Sequence, residues 1–170
     1  MTFFANSGVS WPKLEFETSD AGAKAFSAAS DIFEALAKME SSPDMEIALP
    51  ASMSNAATKL QDAIRIYRNI LPQIDNRTLP PLSPAEYDFA SIEPYWSRDD
   101  LHSPENRLNT PQKLYSELII RLEAVYSRVA DFPNHRVKQA LSFSAFELML
   151  EWEKVARLAR VISVFNRRHS

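Results

Sequence analysis

The residues able to carry chemistry are few and widely spaced. The histidines are His102, His135 and His169, none with a second histidine or a carboxylate at a recognised metal-binding spacing. They read as surface or loop residues, and no metal or cofactor is expected. Carboxylates gather at Glu147, Glu151 and Glu153 and at Asp99-Asp100. Acid–base work would need such a pair buried, with one proton held near neutral pH. Here Glu151 to Lys154 and Glu153 to Arg157 have the spacing of solvated helix-surface ion pairs. Basic residues close the chain: Arg157, Arg160, Arg167 and Arg168. Arg160, Arg167 and Arg168 are the candidates for phosphate contact. Cations at the end of a helix are also favoured by its dipole.

One pair remains. Arg128 and His135 bracket Val-Ala-Asp-Phe-Pro-Asn. This stretch resembles the signature of HEPN ribonucleases, in which an arginine is followed a few residues later by a histidine. That family consists of four-helix proteins acting as dimers, and its Arg and His are implicated in RNA phosphodiester cleavage. The resemblance implies those roles for Arg128 and His135. It covers one short stretch and a generic architecture. Val129 stands where the family often carries a polar residue, and Pro133 sets the pair across an interhelical turn.

Composition narrows the field further. The chain has 170 residues, 45% hydrophobic and 24% charged, a globular balance. Net charge is −3, so no general basic surface exists for nucleic acid, which is not the expected partner. With no cysteine there is no disulfide, thiolate metal site or cysteine nucleophile. A cytoplasmic location is expected from that. Only Gly8 and Gly22 are present, too few for a phosphate-cradling loop and unsuited to a hairpin-rich β fold. Apolar runs are short and broken by charge, so no membrane span or signal peptide is expected.

The elements that must position these groups are helices. Eleven prolines fence the chain, and the four long gaps between them carry an apolar period of one helical turn. The first predicted helix spans about 19–41, with Ser19 or Asp20 as cap and Phe26, Ala29, Phe33 and Leu36 as stripe. The second spans about 53–71, with Leu60, Ala63, Ile64, Tyr67, Ile70 and Leu71. Thr110-Pro111 opens the third, which ends near Ala130. The fourth follows Asn134 and runs to about 166. It carries one stripe through Leu148, Trp152, Val155 and Ile162, and a second apolar face of Phe143, Phe146 and Leu150.

The expected fold is all-α: a four-helix bundle of two αα-hairpins with a long, Pro-rich crossover at about 72–109. Ser83-Pro84-Ala85-Glu86 predicts a capped short helix inside it. Residues 1–18 read as an N-terminal arm and 19–170 as one domain. The expected function is non-enzymatic: a regulatory, adaptor or complex-subunit module binding a protein partner or a second copy. Its candidate contacts are Trp11, Tyr95, Trp96, Phe143, Phe146 and Leu150.

Overall fold

The computed structural model describes residues 19–41, 49–93, 95–102, 108–131 and 138–168. Among them all regular structure is helical: α1 (Asp20–Ser41), α2 (Leu49–Ile70), a 3-10 turn (Leu71–Gln73), α3 (Pro84–Ala90), α4 (Arg98–His102), α5 (Pro111–Asp131) and α6 (Lys138–Arg168). No described helix is long and apolar enough to cross a membrane.

The helix starts follow from local chemistry. Ser19 Oγ accepts the Gly22 amide at 2.9 Å and caps α1. Thr110 Oγ1 accepts the Lys113 amide at 3.1 Å, with Pro111 as the first residue of α5. Ser83 and Glu86 close a reciprocal capping box on α3. Two expectations need correction. Helix α2 begins at Leu49, ahead of the predicted Ser52 or Ser54, because Pro50 is accommodated within its first turn. The crossover also holds a second short helix, α4, opened by Ser97 and Asp100 exchanging side-chain and amide hydrogen bonds at 2.8 and 3.3 Å.

Chain direction follows from reach. Helix α1 has 22 residues, roughly 33 Å at 1.5 Å each. The link 42–48, even extended, spans only about 29 Å. It cannot return to the far end, so α1 and α2 are antiparallel. The same holds for α5 and α6 across 132–137. Alanines line the α1–α2 seam: Ala25, Ala28, Ala29, Ala56 and Ala63 are all at 0% exposure, which lets the two backbones approach closely. Lys59 ties the seam from outside, reaching Asp31 at 2.5 Å and Ser27 at 2.8 Å. In α5 and α6 the predicted stripes are buried, from Leu118 to Val129 and from Leu148 to Ile162, around a fully enclosed Trp152.

Helices α2 and α5 are also neighbours. Tyr67 and Tyr115 meet at 5.9 Å between ring centroids, and Gln112 donates its side-chain amide to the Leu71 carbonyl at 3.3 Å. The end of α2 therefore lies beside the start of α5, and the crossover is an excursion that leaves and returns at one end of the bundle. Its two feet are bonded together, Leu79 N–H to Asn109 O at 2.8 Å and Gln112 N–H to Asp75 O at 2.9 Å.

Candidate functional site

The excursion is packed, not draped. Leu79, Leu82, Ala90, Ile92, Trp96, Leu101 and Leu108 join the buried core. Its outer residues fasten to α6. Arg157 donates one guanidinium nitrogen to the carbonyls of Ser91 and Glu93, the latter at 2.9 Å. Those carbonyls follow the end of α3, where Ser91 takes a left-handed φ of 52°. Tyr95 donates its hydroxyl to Glu153 at 2.7 Å. Burial, then that carboxylate, pushes the Tyr95 phenol up to about 12. Lys154 Nζ and Arg157 Cζ lie 5.5 and 5.4 Å from the Tyr95 ring centre. Tyr95 and Trp96 meet edge to face at 6.0 Å. Below them Arg121 faces the Trp96 ring at 5.8 Å while bonded to the buried Glu117 at 3.0 Å.

Four predicted site residues thus make contacts within the chain, three of them buried or half-buried and Arg167 exposed. Trp96 is 2% exposed, so it serves the core and offers no surface to a partner. Tyr95 is half-buried and held by Glu153. Arg167 lies 4.9 Å over the Phe89 ring of α3. Arg160 is half-buried, and desolvation first, then Arg157, lowers its pKa. The side chain of Arg168 lies outside the described residues, as do those of Trp11, Phe143 and His135.

Arg128 forms an ion pair with Glu147 across the α5–α6 seam. Its charge faces a carboxylate; the geometry relative to His135 is outside the described residues. Glu151 faces Lys154 at 3.6 Å, and Glu153 holds Tyr95. The three carboxylates of α6 are therefore divided among three partners. Among the described residues no three His, Asp or Glu side chains converge to hold a metal ion.

Phe146 is 43% exposed, one helical turn from the half-buried Leu150. The hydrogen bonds and ring contacts described above tie the excursion to α6 between Glu153 and Arg167. Two open clefts lie at the other end of α6. One, of about 490 Å³, is lined by Ile70, Ile74, Asp75, Arg77, Pro111, Tyr115 and Asn166. The other, of about 370 Å³, lies between Phe89 of α3 and Val164 and Arg167 of α6. At the rim of the first, the amide and then the side chain of Arg77 hold the Asp75 carboxyl below its ordinary pKa.

Sequence reasoning missed Arg157 as the clamp of the excursion, since spacing alone pairs it with Glu153. It also missed Ile92, Leu101 and Leu108 as core, because isolated apolar residues in a Pro-rich stretch show no period. No family model, curated protein or solved structure matches this chain.

Proposed function

We propose that the protein is a non-enzymatic helical interaction module, which docks a protein partner or a second copy on the first half of α6. The observation that carries this reading is Phe146. It is a large aromatic at 43% exposure, on the same face as Leu150, on a helix whose later half is covered by the excursion. Aromatic side chains in such positions supply the anchors of protein interfaces. The division of the carboxylates among structural partners, and of Arg128 to Glu147, supports a binding role over a catalytic one. A cysteine-free chain suits a reducing cytoplasm, and we place the module there.

The test compares wild type with Phe146→Asp by light scattering after gel filtration and by affinity purification from the source cell. A dimer, or one partner recovered in stoichiometric amount, is expected for wild type and lost in the variant. A wild-type protein that is monomeric and recovers no partner overturns the reading. So does association untouched by Phe146→Asp.

A further inference from the structure

We propose that the 490 Å³ cleft lined from α2, α5 and α6 binds a small carboxylate with an apolar tail, its head taken by Arg77. Most of the lining is apolar. Ile70 continues the stripe of α2, yet it is 38% exposed, whereas Leu60, Ala63, Ile64 and Tyr67 of that stripe are buried. Ile74, Pro111 and Tyr115 stand around it. A tail laid against these side chains would remove apolar surface from water.

The rim is polar and fixed. Asp75 accepts the Arg77 amide at 2.9 Å and the Arg77 Nε at 2.6 Å. The Asp75 carbonyl accepts the Gln112 amide at 2.9 Å, and Asn76 Oδ1 accepts the Thr110 hydroxyl at 2.9 Å. Arg77 is therefore oriented by a segment that is itself bonded to the start of α5. Asp75 engages Nε, and the two terminal nitrogens of the guanidinium donate no hydrogen bond among the described residues. A guanidinium held in this way offers those nitrogens as a planar fork, the match for a carboxylate. An arginine already oriented loses less freedom when a ligand arrives. An anion site beside apolar surface calls for one molecule carrying both characters. The cleft also lies within the volume range of small-molecule sites, about 300–1,000 Å³, so the occupant is a small molecule rather than a protein face.

The proposal is independent of the partner-binding reading, which uses the opposite end of α6. Octanoate is the probe, titrated into the isotope-labelled full-length protein below its micelle-forming concentration. Saturable shifts are expected in the amides of residues 74–77 and 115 and in the Arg77 Nε–H signal. Butyrate should bind more weakly for want of a tail, and octanol for want of a charge. Arg77→Gln should weaken octanoate binding about fivefold, with the resonances of α5 and α6 in place. Phe146→Asp should leave the binding unchanged. Absence of saturable shifts overturns the proposal. So does octanol binding as tightly as octanoate, or octanoate binding that Arg77→Gln does not weaken.

Discussion

Arg157 does with one side chain what a run of backbone hydrogen bonds does elsewhere. Its planar guanidinium reaches the carbonyls of Ser91, the C-cap of α3, and of Glu93 just beyond it. Arg157→Ala should cost about 2 kcal/mol, since two charge-assisted hydrogen bonds are lost and two carbonyls are left to water. Arg157→Lys should recover less than half, because the lysine side chain is shorter and its ammonium is the more strongly hydrated cation. Urea denaturation of the three proteins checks both. Tyr95 makes a separate prediction at this scale. Its phenol has an ordinary pKa of 10.0 and is raised to about 12 in the fold. The folded state therefore holds a proton that the unfolded state releases first. The resulting stability is complete below pH 10.0 and is lost as pH climbs towards about 12. Tyr95→Phe should be less stable than wild type at neutral pH, by about 1 kcal/mol for the bond to Glu153. That deficit should shrink across this alkaline window. Melting curves of both proteins along a pH series give the answer.

At the scale of elements, the legible parts were those with either a period or a cap. Helix α2 showed its stripe from Leu60 to Tyr67, and α3 was readable from four residues because Ser83, Pro84 and Glu86 each meet a distinct need of a first turn. The start of α2 was misplaced because Pro50 read as a stop when it serves as a start. Helix α4 carried a signal, Ser97 with Asp100 three residues on, in a segment too short to show an apolar period. The site was less legible than the fold. Whether Tyr95 and Trp96 face a partner or the core depends on where the excursion lands, and nothing local to Tyr95-Trp96 encodes that. A test belongs to α3. Ser83→Ala removes the acceptor for the Glu86 amide and should destabilise the protein by about 1 kcal/mol. If α3 is held to α6 mainly by Phe89, Val164 and Arg167, its amides should exchange faster in Ser83→Ala while those of α5 do not change. Hydrogen exchange resolved by residue separates the two.

For the whole molecule, the informative feature is that α2 and α5 already touch where the excursion begins and ends. An up-and-down bundle needs only a short link at that point, and long connections in compact domains are retained for a reason. Here the reason is visible in the core: Ile92, Trp96, Leu101 and Leu108 are at 2% exposure or less. The later half of α6 is apolar on two faces, one against α5 and one towards α3, where Val164 lies beside Phe89. A bundle of four helices alone would leave the second face wet. Replacing residues 80–107 with a short glycine–serine link tests this, because the bond from Leu79 to Asn109 shows that the two feet are within reach of each other. Four antiparallel helices should survive, with a far-ultraviolet spectrum still helical. The uncovered Val161, Val164 and Phe165 region of α6 should then lower the melting temperature and drive self-association beyond that of the full-length protein. A shortened chain that melts as the parent does and keeps the parent's oligomeric state would mean that the excursion is ornament to the core, and that Trp96 is buried without being needed.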